Sequence, residues 1–188
     1  MRMRRTLMAS LLTGCALQIA CANARHDYRT GPADPELLHS AMRQLTRIIV
    51  YDIFSPPQAS RVYAYSSIAA YEVLRHDYPT YRPLAGQVNG LAPVPAPDPD
   101  AEYYLPLAAV HAFMTVGRAL TVSRERMDSL RSVMEGQIRR GGIPAPVFER
   151  SIAHGDRVAQ HILAWASGDH FLETRGYPKY TVTSVPGL

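Results

Sequence analysis

Two histidines and an aspartate near the end of this sequence have side chains that could carry out chemistry. His154, Asp156 and His161 lie in a segment of helical periodicity, and imidazole and carboxylate groups are common metal ligands. A spacing of seven residues places the histidines on one helix face but two turns, about 10 Å, apart. Because a zinc-binding helix uses a spacing of three or four, we interpret both histidines as partly exposed groups beside an apolar stripe.

Two other polar groups have weaker chemical signatures. Asp169-His170 and Glu173 form a cluster of cation-ligating residue types, but no motif requires such a site. The Arg139-Arg140 pair could hold an anion, although positive charge at this point also complements the negative end of a helix dipole. The sequence contains no P-loop, GxSxG, HExxH or CxxC motif. We therefore assign no catalytic, cofactor-binding or metal-ligating residue.

The elements that would position these groups are helices. Asp34 and Pro35 form a helix start, after which apolar residues recur at intervals of three and four. A second helix is predicted to start at Ser55-Pro56-Pro57 and to run from Ala59 to Leu74. It is nearly uncharged, so we expect it to be the most buried element, with Ala69 and Ala70 near its centre. Its tyrosines need hydrogen-bond partners wherever they are buried.

The remaining pattern completes an all-α prediction. Residues 78–99 contain six prolines and are expected to form an extended linker or a surface loop. Three more helices are predicted: from about Asp100 to Leu120, from an N-cap at Ser123 to Gly141, and from about Pro146 to Ser167. Residues 25–168 thus form one bundle of about five helices. Residues 169–188 are expected to be an irregular tail, with a short β-prone stretch at 180–185.

Composition excludes a disordered, collagen-like or coiled-coil protein. The chain has 188 residues, of which 47% are hydrophobic, enough for one ordinary core. Its net charge of +4 comes largely from the N-terminus, where Arg2, Arg4 and Arg5 supply three of the twenty basic residues. Beyond residue 24 there are 17 basic and 16 acidic residues. That balance gives no basic surface for nucleic acid.

The first 24 residues resemble a secretory signal peptide. A basic start is followed by a short apolar stretch from Leu7 to Ala20, and Ala22-Asn23-Ala24 offers a signal-peptidase site. We expect export and a mature chain that starts at Arg25, without any cysteine. The alternative is a lipobox at Leu12 to Cys15, which would make Cys15 a lipidated membrane anchor.

Four segments, in order, resemble the N-terminal helical half of exported bacterial vanadium-dependent haloperoxidase-like proteins, of the type 2 phosphatidic acid phosphatase/haloperoxidase superfamily. These are 47–72 (RIIVYDIFSPPQASRVYAYSSIAAYE), 81–91 (YRPLAGQVNGL), 161–166 (HILAWA) and 174–183 (TRGYPKYTVT). The resemblance implies that this bundle is part of a larger α-helical fold, into whose catalytic half residues 169–188 would lead.

The resemblance also implies a cofactor that this chain does not bind alone. In the family, lysine and arginine side chains, a Ser-Gly-His segment and a further histidine hold vanadate or phosphate. No Ser-Gly-His occurs here, and Lys179 lacks the downstream Arg-Pro of the pocket lysine. We expect an inactive part of a haloperoxidase or phosphatase that packs on its missing half or self-associates. The alternative is a non-catalytic exported or lipid-anchored helical module that packs on a protein partner.

Overall fold

The computed structural model describes residues 35–174 and 176–178. These residues form five long helices and one short one, joined by loops and two short 3₁₀ turns. The helices are α1 (Pro35–Tyr51), α2 (Pro56–Leu74), α3 (Leu105–Leu120), α4 (Arg124–Arg140), α5 (Ala145–Ala166) and α6 (Phe171–Thr174). The all-α prediction is confirmed. The predicted signal peptide, the β-prone stretch and Lys179 lie outside the described residues.

The centre of the bundle is α3 and not, as predicted, α2. Eleven of the sixteen residues of α3 are buried, against six of nineteen in α2. The helix α3 packs on α2 and α5 and also touches α1 and α4. The prediction failed because α2 has only two charged residues but also carries many hydroxyl groups, whereas α3 is apolar nearly all round. Ala69 and Ala70 of α2 are buried as expected.

Two glycines allow close helix contacts in the core. A Cβ atom on Gly155 of α5 would lie 2.6 Å from the carbonyl oxygen of Ala108 in α3. A Cβ atom on Gly117 of α3 would lie 2.9 Å from the Met127 methyl group of α4. A side chain at residue 155 would force α5 away from α3, because the atom that it meets belongs to the backbone, whereas at residue 117 the flexible tip of Met127 could shift.

Side chains fix the Pro-rich segment between α2 and α3 to the helices. Glu72, fully buried in α2, accepts hydrogen bonds from the Leu84 amide at 2.7 Å and the Arg75 guanidinium at 2.6 Å. The Tyr71 hydroxyl donates to the Arg82 carbonyl at 2.7 Å, and the Trp165 indole of α5 donates to the Asn89 carbonyl at 3.1 Å. The segment is therefore a strap over the bundle, as the surface-loop alternative predicted.

The N-terminus of α4 is capped by an aspartate that follows α1. Ser123 occupies the predicted N-cap position, but its side chain makes no capping bond. Its hydroxyl and amide, together with the Val122 amide, donate to the carboxylate of Asp52, which follows α1. A carboxylate at a helix N-terminus is favoured by the helix dipole. Asp52 therefore fixes the end of α1 to the start of α4.

Candidate functional site

A buried histidine that sequence reasoning missed joins three helices. His111 of α3 is 4% exposed. Its Nδ1 lies 2.6 Å from a carboxylate oxygen of Glu135 in α4, and its Nε2 lies 2.7 Å from one of Asp156 in α5. The only signal for this site is a lone histidine in an otherwise apolar helix, and nothing in the spacing identifies its two partners.

The two carboxylates favour the charged form of His111. Burial by itself would lower its pKa, but the hydrogen bonds and charges of Glu135 and Asp156 raise the pKa above its ordinary value. An imidazole donates from both nitrogens only when it is protonated. With both nitrogens engaged, His111 has no free lone pair for a substrate or metal. The cluster is therefore a buried polar cross-link between helices.

The histidines singled out in the sequence lie in different surroundings. His154 was predicted to be partly exposed, but it is fully buried, because its helix face turns toward the rings of Tyr103 and His76. His161 lies near the strap, with its Nε2 3.1 Å from the Ala92 carbonyl oxygen. The third residue of the set, Asp156, instead contacts His111. The three do not form one site.

Burial keeps His154 neutral. Desolvation, with smaller contributions from the charges of Arg157 and His76, lowers its pKa from 6.5 to about 4. Its Nε2 is buried and has no hydrogen-bond partner among the described residues, and the same is true of the Nε2 of His76. Protonation of His154 would place a charge in this enclosed environment, so acid is expected to destabilise the packing around His154 and His76.

The Asp169-His170-Glu173 cluster, for which no cation site was assigned, follows α5 and holds the chain against α2. The carboxylate of Asp169 accepts hydrogen bonds from the Arg61 guanidinium at 2.5 Å and from the Tyr65 hydroxyl at 3.1 Å. Burial would raise the pKa of Asp169, but these donors and the Phe171 amide hold it below its ordinary value. The ring of Phe171 lies 4.5 Å from the Arg61 guanidinium carbon. Asp169 is thus occupied by an arginine.

The start of the predicted irregular tail is ordered differently from expectation. Residues Ser167–Asp169 form a 3₁₀ turn and Phe171–Thr174 a short helix. His170, which lies between them, has its Nδ1 2.7 Å from a Glu173 carboxylate oxygen. In residues 35–174 and 176–178, no group of three or more histidine, cysteine, aspartate or glutamate side chains could hold a metal ion. The sequence could not reveal this turn because its main partner, Arg61, lies 108 residues away.

Three of the described arginines, on three different helices, are each engaged by a different partner. Arg139 lies over the ring of Phe148 at 4.1 Å, and Arg118 donates to Asp128 at 2.7 Å. Arg61 is engaged by Asp169 on another helix. Several donors must converge to hold a multiply charged oxyanion, and these side chains point to separate partners. These three arginines therefore do not converge on one vanadate site.

Comparison with known proteins finds that the helical unit is similar to part of a longer protein. No protein-family model and no curated protein matches the chain. A solved structure described as the first bacterial vanadium-dependent iodoperoxidase is similar to it, at 42% sequence identity and a TM-score of 0.73. The match covers 79% of this chain and 35% of that one, so this chain spans about a third of the iodoperoxidase.

Proposed function

Since this chain is a haloperoxidase-like helical segment, we propose that it is the non-catalytic helical part of an exported vanadium-dependent haloperoxidase-like enzyme. The observation that carries the proposal is the match to the iodoperoxidase, at 42% identity over 79% of the chain. It confirms the resemblance inferred from the four sequence segments. Halide oxidation, vanadate binding and export are proposals for this protein.

The catalytic part of the proposed enzyme would hold vanadate outside the residues described here. The placement of Arg61, Arg118 and Arg139 supports this, because the first two are engaged by carboxylates and the third lies over the ring of Phe148. The role that the helical unit can fill is structural: eleven of the sixteen residues of its central helix are buried, and the polar contacts of His111 join three helices. A rigid unit of this kind can support a second body that carries the chemistry.

Activity measurements test the division of roles. Purified residues 25–188, incubated with vanadate, hydrogen peroxide and iodide or bromide, should oxidise no halide above a protein-free control. They should also release no phosphate from a generic phosphomonoester. Halide oxidation that is abolished by phosphate would contradict the proposal and require an oxyanion pocket in this chain, with Arg118, Arg139, Arg140, His154 and His161 as the first residues to substitute.

The coding DNA provides an independent test. If the proposal is correct, the reading frame continues past Leu188 and encodes a lysine, an Arg-Pro, a Ser-Gly-His and a further histidine motif. A stop codon at that point would favour the alternative, a helical module that packs on a separate protein. Reading this sequence decides between the two without any protein chemistry.

Export is proposed from the signal-like first 24 residues. Among residues 35–174 and 176–178, no helix is long and apolar enough to cross a membrane. Mass spectrometry of the processed protein should find an N-terminus at Arg25. A diacylglyceryl adduct on Cys15 would instead establish a lipid-anchored protein.

A further inference from the structure

The helix α1 ends in a conformation that its residue type disfavours. The amide of Ile53 donates to the Val50 carbonyl at 3.1 Å, and the amide of Phe54 donates to the Ile49 carbonyl at 3.2 Å. This is the Schellman motif, which places Ile53 in the left-handed region, at φ +54°. Glycine usually occupies that position, and a β-branched residue there is strained. At the equivalent end of α4, the residue with positive φ is Gly142.

The strained residue gains nothing from burial in this chain. The side chain of Ile53 is 89% exposed, and its neighbours Tyr51 and Val122 are 60% and 73% exposed. The Asp52 carboxylate fixes this corner, because it accepts hydrogen bonds from the Val122 amide at 2.9 Å and from the Ser123 amide at 3.1 Å. Strain that the surrounding structure maintains indicates a use for the residue beyond folding.

The exposed corner continues into an apolar groove between α1 and α4. The groove has a volume of about 520 Å³, and Ile48, Tyr51, Leu130 and Val133 supply its apolar lining. Its charged lining residues are Arg47 and Arg126, both basic, and no acidic side chain lines it. We call the surface formed by Tyr51, Ile53, Val122, Arg126 and Val133 the α1–α4 face.

We propose that the α1–α4 face is the surface on which the catalytic part of the enzyme packs, with Ile53 inserted into that part. The inference rests on the proposed function, since the similar iodoperoxidase is nearly three times as long as the segment matched here. An apolar centre with basic residues at its edge fits a partner with an apolar depression bordered by carboxylates. A second copy of this chain would bring arginines against arginines.

The first experiment uses the strain itself. In residues 25–188, Ile53→Gly removes the left-handed strain and should raise Tm by about 2–4 °C. In the longer protein encoded by the continuing frame, the same substitution should lower Tm, because the contact of Ile53 with the catalytic part is lost. Val122→Ser, which leaves the left-handed backbone of Ile53 in place, should leave the Tm of residues 25–188 unchanged and lower that of the longer protein. An equal rise in both proteins for Ile53→Gly would overturn the proposal.

The second experiment measures access to the face directly. Residues 25–188 contain no cysteine, so a single cysteine can be placed by Val122→Cys, or by Gln160→Cys at an exposed position of α5 as the control. In the isolated chain a maleimide should label both positions at similar rates. In the longer protein the Val122→Cys label should be at least ten-fold slower.

The outcomes of the labelling and of the coding-DNA test separate the proposed face from the proposed function. Equal labelling of Val122→Cys in both proteins would overturn the face while leaving the proposed function intact. Absence of a continuing frame would overturn both. Protection in the isolated chain that increases with protein concentration would assign the face to a second copy and overturn the proposal.

Discussion

Acid should destabilise this protein through one histidine more than through any surface group. His154 is fully buried, and burial lowers its pKa from 6.5 to about 4. The unfolded chain therefore binds a proton near pH 6.5 that the folded chain does not accept until about pH 4. The free energy of unfolding therefore decreases as the pH falls through this window, because protonation favours the unfolded chain.

The magnitude follows from the two pKa values. A difference between 6.5 and about 4 corresponds to about 3 kcal/mol once the pH is below both values. Most of this, about 2 kcal/mol, should be lost between pH 6.5 and pH 4.5. His111 does not obscure the effect, because its pKa is raised and its contribution is already complete below pH 6.5.

Denaturant unfolding of residues 25–188 at a series of pH values is the assay. His154→Leu should lose less stability, by about 2 kcal/mol, between pH 6.5 and 4.5 than the unsubstituted chain. His154→Gln, which also cannot titrate, serves if the leucine variant does not fold. The control is His161→Gln on the same helix, which should keep the full acid dependence. Parallel pH profiles for the His154 variants and the unsubstituted chain would refute this reasoning.

Three further substitutions test the core. His111→Leu removes the histidine that two carboxylates share and should lower the free energy of unfolding by about 2–3 kcal/mol, measured with denaturant at pH 6. In the unsubstituted chain, the stabilisation by His111 should decline as the pH rises through its elevated pKa. Gly155→Ala should lower the free energy of unfolding by about 2 kcal/mol or more because its Cβ would meet a backbone oxygen at 2.6 Å, whereas Gly136→Ala, whose Cβ has only an arginine tip at 3.7 Å, should raise it by up to about 1 kcal/mol. Ala69→Leu should overpack the core and cost about 1–3 kcal/mol, so an unchanged thermal melt would contradict its buried position.

Local signals in the sequence were sufficient for the helices. Pro35, the Ser55-Pro56-Pro57 start and the Gly141-Gly142 end mark boundaries that the structure reproduces to within a few residues. These signals work because caps and proline act through neighbouring backbone groups. The third helix begins at Leu105 and not near Asp100, since the side-chain bond that satisfies the Tyr104 amide comes from Ser151 on α5.

The sequence by itself determined the helical periodicity, the Pro-rich break and the resemblance that the iodoperoxidase match confirms. Only the tertiary structure decided which helix is central, which histidines are buried, and which acids contact His111, 24 and 45 residues away. The same holds for Ile53, whose left-handed backbone and exposed side chain have no signature in a sequence of apolar residues. The physical reason is that burial and pKa depend on neighbours brought together by folding, whereas periodicity and capping depend on neighbours along the chain.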